Sequence, residues 1–523
     1  MASLFYDCFF ARTSCPKGKA VPTSQMIHLC GWIHHFLLFL MALSRRSVLS
    51  SLGALGVSSS ATVVSRQASA MNKNSIRILL HGGDNMMGRA VQLTFPVQAP
   101  GEEWIKDSCT AWHYLTLALH GDGGSTIHGE PTAAQELLDE IRLENQNHGH
   151  YLWSKAQVPL AKPPDLCLLN LETAVTRSIK NPDIPLVKGI NYHMHVDNFE
   201  SIFKGFPVDT PHIVVTLANN HGLDYGRQAF DQETLPLLTQ STSPVRVVGC
   251  GHNFGEAARP VVVDTKANDR VEVFAFAAGC SGTPYDWWAT DQRSGIVGLP
   301  AIRKWEDVDE ALYIIQRSLQ LAPSSDARPL RIISIHWGPN WAMRGSEDKA
   351  QLEARQQLAH RLIDECGVDL IYGHSSHHIR GIEVYHNRLI LYGAGDIIND
   401  YEGFENPGEE KYNRMGGVFV ADFDPTTGEW QELYVVPMLM NQLRLERYIP
   451  NESKLWKPRE KAYVQDPSQS RKLCDFVNQQ SIVDAGAKGR ALILEHLNEA
   501  SKVILDGGPV LHATSNAPPE AIK

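Results

Sequence analysis

The sequence is poor in paired cysteines and in positive charge. Its nine cysteines are an odd number at wide, irregular spacing, without a CxxC pair. This distribution fits neither a disulfide scaffold nor a thiolate zinc site. The formal net charge is −10, whereas broad nucleic-acid binding needs a basic face, so we expect no nucleic-acid partner. A local Arg or Lys pocket for an anionic substrate stays open.

The chain also lacks a clean membrane span and an internal repeat. Residues 27–43 are largely apolar, but two adjacent histidines and a tryptophan interrupt them, so this is a weak candidate for a membrane span. Apolar content of 43% and charged content of 20% are ordinary for a soluble globular protein. The length of 523 residues leaves room for a large core or several domains.

The first 70 residues are expected to be a leader outside the fold. Arg45-Arg46 precedes an uncharged small and apolar run that ends in Ala68-Ser69-Ala70. Residues 41–70 therefore resemble a twin-arginine export signal, and we expect export to the periplasm or cell surface. Residues 1–40 are either a misassigned start or a genuine extension such as an organelle-targeting peptide. An uncleaved signal would leave an N-terminal membrane anchor.

Three apolar runs near the middle of the chain have strand length and end in polar groups. Each run is followed at once by His, Gly-His or Gly-Ala-Gly-Asp, which is typical of buried parallel strands with functional loops at their carboxyl ends. The runs are 332–335, 368–372 and 389–392. His336, His374 and His377 would then share one rim of one sheet. The alternative is chance placement among 22 histidines.

Earlier strands end in the same way. The polar residues that follow predicted strands are Asp84, Asn170, Glu172, Asn219, Asn220, His221, His336, His374 and His377. Carboxylate, amide and imidazole groups in this mixture suit Mn, Fe, Zn or Mg, so we predict one or two divalent ions. Two ions about 3.5–4 Å apart can generate hydroxide near neutral pH, and a protonated His221 can act as general acid.

Other segments are predicted to surround this rim. Residues 95–160, irregular apart from a helix at 133–145, are expected to be an insertion that covers one side of the site. His193 and His195 alternate in a polar rim loop, either as a ligand pair or as solvent-facing side chains. Helices are predicted at 228–238, 306–321 and 348–366, and in the tail at 470–478 and 489–504.

The rim motifs, taken in order, carry a family resemblance. The chain reads GGDNMMGR, NLET, LANNHGLDYG, GCGHNFGEAARP, HWG, QQLAHRLID, GHSSHHIRGIEVY and YGAGDIINDYEG, which is similar to the CapA family of poly-γ-glutamate capsule-synthesis proteins, relatives of the calcineurin-like metallophosphoesterases. The similarity covers residues 75–440. It implies an α/β fold, a four-layer α/β/β/α sandwich with metals at the strand ends. Residues 441–523 are expected to form a mostly helical extension.

The resemblance also implies roles for individual residues. Glu172 stands where the phosphoesterases place a bridging Asp, and Asn220 stands at the amide ligand. The implied metal ligands are Asp84, Glu172, Asn220, His336, His374 and His377. His221 would be the substrate-facing imidazole, and Arg89 would hold an anionic oxygen bidentately.

Two positions depart from the phosphoesterase pattern. The Asp-x-His triplet becomes Asp84-Asn85-Met86, so an imidazole ligand is missing, and the closing Gly-His-x-His gains a residue between His374 and His377. Both departures bear on whether the centre holds two metals.

Three functions remain in competition. The resemblance implies a metal-dependent hydrolase or transferase acting in synthesis, export or processing of an anionic polymer such as poly-γ-glutamate, within a membrane-bound capsule synthesis complex. One alternative is a metal-dependent phosphoesterase acting on a small phosphorylated substrate. The other is a non-catalytic scaffold in which the rim motifs only stabilise loops.

The leader generates a first prediction. We expect the mature protein to begin near Met71, because Ala68-Ser69-Ala70 closes the signal-like run. N-terminal sequencing of the exported protein checks this. Intact residues 41–70 in an exported, soluble form would contradict it.

Overall fold

The computed structural model describes residues 75–515 apart from 106, 108, 121–132, 159, 186–187, 343–346, 403–414, 458–461 and 498–508. The predicted leader, residues 1–70, lies outside the described residues, so its signal stays a prediction. Within the described ranges, no helix combines the length and apolar character that a membrane crossing requires.

The described residues contain 23 strands, most of them short. They are β1 (Ile76–Asn85), β2 (Leu166–Leu171), β3 (Ala174–Thr176), β4 (His193–His195), β5 (Ile213–Thr216), β6 (Arg246–Val248), β7 (Cys250–Gly251), β8 (Val261–Asp264), β9 (Arg270–Ala278), β10 (Gly295–Ile296), β11 (Gly298–Leu299), β12 (Leu330–His336), β13 (Leu370–His374), β14 (Ile382–Tyr385), β15 (Arg388–Leu391), β16 (Met415–Phe423), β17 (Trp430–Asn441), β18 (Arg444–Arg447), β19 (Lys454–Lys457), β20 (Ala462–Gln465), β21 (Arg490–Ala491), β22 (Glu495–Leu497) and β23 (Val510–Thr514).

Helices flank these strands. They are α1 (Arg89–Leu93), α2 (Ala111–His120), α3 (Ala133–Asn145), α4 (His150–Trp153), α5 (Val196–Lys204), α6 (Arg227–Ala229), α7 (Leu235–Thr239), α8 (Phe254–Ala257), α9 (Trp305–Leu319), α10 (Lys349–Cys366) and α11 (Gln469–Asp484). A π-helical stretch, Phe230–Thr234, joins α6 to α7, so the predicted helix at 228–238 is present in irregular form.

Two large mixed sheets form the centre of the molecule. The first has the order β22-β23-β17-β16-β1-β2-β5-β6, with β18 paired to β17. The second has the order β11-β9-β12-β13-β15-β14-β21, with β8 paired to β9. Each sheet contains a run of parallel strands, β1-β2-β5-β6 at one end of the first sheet and β9-β12-β13-β15 within the second.

Side chains that alternate between the two faces of each strand pack against the other sheet on one face and against helices on the other face. Successive side chains of a strand point to opposite faces, so Ile332 and Leu370 pack in the core shared with the first sheet. Ile333 and Ile371 pack instead with residues of α9 and α10. On the far side, the ring of His81 in β1 lies 6.0 Å from that of Trp153 in α4. The predicted four-layer α/β/β/α sandwich is confirmed.

The insertion is more regular than expected. Helix α3 coincides with the predicted helix at 133–145, but α2 was not anticipated. Its sequence contains aromatic and threonine residues that weaken helix propensity. Burial of Tyr114 and Leu115 in the main core outweighs that local preference, because packing decides most helices in folded proteins.

The C-terminal extension differs from the expected mostly helical segment. Helix α11 covers the helix predicted at 470–478, whereas 490–491 and 495–497 are strands where a helix was predicted. Residues 498–504 lie outside the described residues. β22 and β23 continue the first sheet, and β21 continues the second. Free sheet edges attract extended chain, which a local helical pattern does not reveal.

This pairing predicts that the extension is part of the core. Leu511 in β23 is fully buried, whereas Leu143 in α3 is 67% exposed. Leu511→Ala should lower the free energy of unfolding by about 2–5 kcal/mol, and the matched control Leu143→Ala should change it by less than about 0.5 kcal/mol. Urea unfolding measures both. Equal effects of the two substitutions would contradict an integrated extension.

Candidate metal centre

The carboxyl ends of the parallel strands from both sheets meet at one rim. Asp84 pairs with Asn170 across β1 and β2, and His336 pairs with His374 at the ends of β12 and β13. The hydroxyl of Tyr372 donates a hydrogen bond of 2.6 Å to the carbonyl of Gly82, which joins the sheets just below the rim. The convergence that the strand pattern predicted is therefore present.

Two groups of potential ligands lie at this rim, and Asp84 belongs to both. In each group the carboxylate and imidazole atoms lie within 4.8 Å of one another. The first group is Asp84, His336 and His374, and the second is Asp84, Glu172, His377 and Asp396. The shared carboxylate is thus Asp84, whereas the resemblance implied that Glu172 would occupy the bridging position.

Asp84 is a buried carboxylate with fixed partners. Its Oδ1 accepts a hydrogen bond of 2.7 Å from Nδ2 of Asn170, and its Oδ2 accepts one of 2.9 Å from the backbone N–H of Ser375. Burial alone would raise the pKa of Asp84, but His336, followed by His374 and His377, brings that pKa well below its usual value. Asp84 is therefore ionised and oriented.

Glu172 has no comparable support. Both carboxylate oxygens are buried, and neither has a hydrogen-bond partner among the described residues. The Nε2 atoms of His336 and His221 lie 3.6 and 3.9 Å from its Oε1. Burial, and then the charge of Asp84, raise the pKa of Glu172 well above its usual value. Such a group is costly unless something pairs with it, and a divalent cation would do so.

The imidazoles of the first group are suited to metal binding. Nδ1 of His336 lies 2.8 Å from Nδ1 of His374, and Nε2 of His374 lies 2.9 Å from Oγ of Ser334. Burial lowers the pKa of His374 to about 3 and also lowers the pKa of His336. Both rings are neutral near pH 7, which is the form that coordinates a metal.

His377 is in a different electrostatic environment. Its Nδ1 lies 2.9 Å from Oδ1 of Asp396. Burial lowers the pKa of His377, but Asp396 and Glu172 outweigh that effect and raise it to about 10. Asp396 is the last residue of the Gly-Ala-Gly-Asp motif and was not among the predicted ligands, although its position after a predicted strand was an available signal.

The structure accommodates both departures from the phosphoesterase pattern. Ser375 and His377 have positive φ angles of 97° and 59°, so the additional residue is absorbed by left-handed backbone. Asn85 does not replace the missing imidazole, because its Oδ1 lies 3.0 Å from Nδ1 of His81 and its Nδ2 donates to the carbonyls of His81, Gly83 and Asn170. The second group instead draws its ligands from Glu172, His377 and Asp396.

Asn220 and His221 point to different partners, as expected for successive residues. Oδ1 of Asn220 lies 3.0 Å from Nε2 of His336. Nδ1 of His221 lies 2.6 Å from Oδ2 of Asp224 and 2.8 Å from Nζ of Lys188. Asn220 therefore adjoins the candidate ligands, whereas His221 belongs to a separate polar group.

The surroundings of His221 disfavour its protonated form. Burial, and then the charge of Lys188, lower the pKa of His221 well below the usual value, which favours a neutral ring; its catalytic role stays a prediction. Lys188 also forms an ion pair with Asp224. Asp224 was noted as part of a motif without a role, and Lys188 was not assigned. Lys188 opens the polar rim loop, but a single lysine there carried no specific signal.

Arg89 contacts two carboxylates of the protein, and its predicted contact with a substrate oxygen stays a prediction. Its guanidinium binds the carboxylate of Asp400 through two nitrogens and donates 2.6 Å to Asp107. Only 3% of the residue is exposed, and its charge lies 3.9 Å from the ring centre of Tyr114. Arg89 is thus neutralised by two carboxylates and joins the insertion to the rim.

The histidine pair of the rim loop lies outside both ligand groups. His193 is buried, with Nδ1 2.7 Å from Glu102 and Nε2 2.8 Å from the carbonyl of Thr176. The side chain of His195 accepts a hydrogen bond from the N–H of Asp197 at the start of α5. His193 and His195 are therefore neither a metal-ligand pair nor solvent-facing side chains, because both are buried and stabilise local structure.

Comparisons with known proteins agree with the motif resemblance. The family model described as bacterial capsule synthesis protein PGA_cap matches residues 78–401. A probable polyglutamine synthesis accessory protein of Mycobacterium tuberculosis is 32% identical over 382 residues, which are 72% of this chain and 88% of that protein. The PGA biosynthesis protein CapA of Bacillus subtilis is 25% identical, with 46% and 55% covered. A phosphatase structure from Mycoplasma pneumoniae aligns with a TM-score of 0.32 at 10% identity over 70% of this chain and 94% of its own, a likeness that carries no argument.

The geometry predicts which histidines retain a metal. His336→Ala and His374→Ala should each lower metal content sharply with little loss of fold, because each removes a ligand from a rim supported by packed strands. Elemental analysis of the purified variants measures this, with circular dichroism to verify folding. His386→Ala is the control, since that side chain is 66% exposed in the turn between β14 and β15. Metal content equal to wild type in both variants would refute the site.

Proposed function

This chain belongs to the bacterial capsule synthesis protein family PGA_cap, and from that premise we propose a metal-dependent role in making or processing an anionic capsule polymer such as poly-γ-glutamate. The named relatives support a polymer built from glutamate or glutamine: one is a probable polyglutamine synthesis accessory protein and another a PGA biosynthesis protein. The proposal includes export by the signal-like segment 41–70 and action within a membrane-bound complex at the cell envelope.

One observation carries the metal part of the proposal. The carboxylate of Glu172 is buried without a hydrogen-bond partner among the described residues and faces groups that suit a divalent ion. The residues that would hold one or two ions of Mn, Fe, Zn or Mg type are Asp84, Glu172, Asn220, His336, His374, His377 and Asp396. When bound, such ions supply Lewis-acid polarisation and lower the pKa of a water ligand.

His221 is the proton carrier beside this centre. Nδ1 contacts both the carboxylate of Asp224 and Nζ of Lys188; in the tautomer that donates Nδ1–H to Asp224, Nε2 has a free lone pair. That Nε2 lies 3.9 Å from Glu172, on the side of the ligand groups. Because the ring is neutral, it first accepts a proton at Nε2 and later returns it.

The charge distribution favours a substrate that binds through metal ions. The rim contains the carboxylates of Asp84, Glu172 and Asp396, and Arg89 is already neutralised by its two aspartates. Lys188 is paired with Asp224. His377 is likewise paired with Asp396, so these cationic side chains are already occupied by carboxylates of the protein. Bound cations would supply positive charge for an anionic chain.

The decisive experiment is complementation of a deletion strain. Wild type should restore extracellular polymer, and His374→Ala should not, because the metal is lost. His221→Ala should keep its metal while turnover falls about 10²–10⁴-fold. His386→Ala is the matched control and should behave as wild type. Extracellular polyglutamate is measured by acid hydrolysis and amino-acid analysis, and metal by elemental analysis.

The other outcomes distinguish the alternatives. Full polymer production by the metal-depleted His374→Ala variant would indicate a scaffold. Unchanged polymer in the deletion strain, together with aryl-phosphate hydrolysis that His221→Ala abolishes, would indicate a phosphoesterase. Loss of metal in His221→Ala would make that residue a ligand rather than the proton carrier.

A further inference from the structure

We infer that the C-terminal extension completes the metal centre, and that Asp484 at the end of α11 is a positioning residue for His377. The segment concerned is the His377 loop, residues 375–381, which connects β13 to β14. The inference rests on the metal centre proposed above and not on the identity of the polymer. The matched family segment ends at residue 401, so α11 lies outside it.

Asp484 binds the end of the His377 loop with both carboxylate oxygens. Oδ1 accepts a hydrogen bond of 2.6 Å from a terminal nitrogen of Arg380, and Oδ2 accepts one of 3.1 Å from its Nε. Oδ2 also accepts 2.8 Å from the backbone N–H of Gly381. Asp484 is fully buried and Arg380 is 4% exposed. A bidentate ion pair of this kind is strong and directional.

Arg380 is held from a second side as well. Its remaining terminal nitrogen donates 2.6 Å to Glu347, which also pairs with the buried Arg355 of α10. The guanidinium is therefore fixed between α11 and the start of α10. Removing one buried carboxylate leaves the arginine charge only partly compensated, so the loop backbone has to adjust.

The loop also packs against α11 without spare room. A Cβ on Gly381 would come within 2.5 Å of the carbonyl oxygen of Gln480, and the hydroxyl of Ser481 accepts 2.9 Å from the N–H of Ile382. The ring of His378 lies edge-on to Phe476, 5.8 Å between centres. Three independent contacts thus tie one side of the loop to one helix.

This support matters because the loop backbone is strained. Ser375 and His377 are non-glycine residues at positive φ, a conformation that persists when surrounding structure fixes it. Only two residues separate His377 from Arg380, so a shift of the backbone at Arg380 would reach His377. Movement at Arg380 would displace the His377 ring from Asp396, 2.9 Å away, and from Asp84, 3.9 Å away.

The test uses the full chain and Mn²⁺ alone. Asp484→Asn keeps the shape of the side chain but removes its charge, and Asp475→Asn makes the same change at an exposed position of the same helix. We expect Asp484→Asn to weaken Mn²⁺ binding about 10–100-fold, as loss of a residue that orients a metal ligand does, with Asp475→Asn unchanged. Electron paramagnetic resonance of free Mn²⁺ gives the affinity, and amide hydrogen exchange at Gly381 and Ile382 reports the loop.

A purely structural role would lower the melting temperature and leave Mn²⁺ affinity per folded molecule unchanged, and that result would overturn the inference. Should Asp484→Asn fail to fold, Ser481→Ala decides, because it removes the hydroxyl that accepts from Ile382 and donates to the carbonyl of Val477 within α11 and leaves the Asp484–Arg380 pair in place. Weakening of Mn²⁺ binding by about 2–10-fold is expected, and unchanged binding would overturn the inference. If the wild-type protein binds no Mn²⁺, both the proposed metal centre and this inference are wrong. If the wild type and all variants bind Mn²⁺ with equal affinity, the metal centre stands and only the positioning role of Asp484 is refuted.

Discussion

The structure depends most on one buried charge, the carboxylate of Asp84. An ionised carboxylate in a protein interior is unstable unless donors surround it. Here Asn170 from the first sheet and Ser375 from the second sheet each donate to it, and three imidazoles lie within 4 Å. The two sheets are therefore held in register at the rim by a group that neither could satisfy alone. The same group belongs to both potential ligand sets.

The charges around Asp84 explain how neighbouring residues divide their roles. His336 and His374 are neutral because burial outweighs the attraction of Asp84, whereas His377 is protonated because Asp396 and Glu172 act on it together. The proton of His377 and a divalent cation would compensate the same carboxylates. Occupancy by metal and protonation of His377 are consequently linked, since a ligand nitrogen must lose its proton to bind.

Sequence reasoning located the rim because the rule behind it is local. A branched strand followed by a polar residue can be read in a few positions, and parallel strands place their carboxyl ends together. The same logic reaches Asp396, which lies five residues after β15 in a motif that was quoted but not assigned a role. The carboxylate partners of Arg89 could not be predicted from spacing, because Asp107 and Asp400 are distant from it in sequence. The strands of the extension were missed for a similar reason, since their partners are edges of sheets formed earlier in the chain.

The boundary of the matched family segment is not the boundary of the folding unit. The match ends at residue 401, yet β16 and β17, which pair with β1 and with each other, lie beyond it. β16 forms six residue pairs with β1, the strand that carries Asp84. A chain ending at 401 would leave β1 as an edge strand with unpaired backbone groups. The family segment contains the candidate rim residues, whereas the fold that positions them extends to the last described strand at Val510–Thr514.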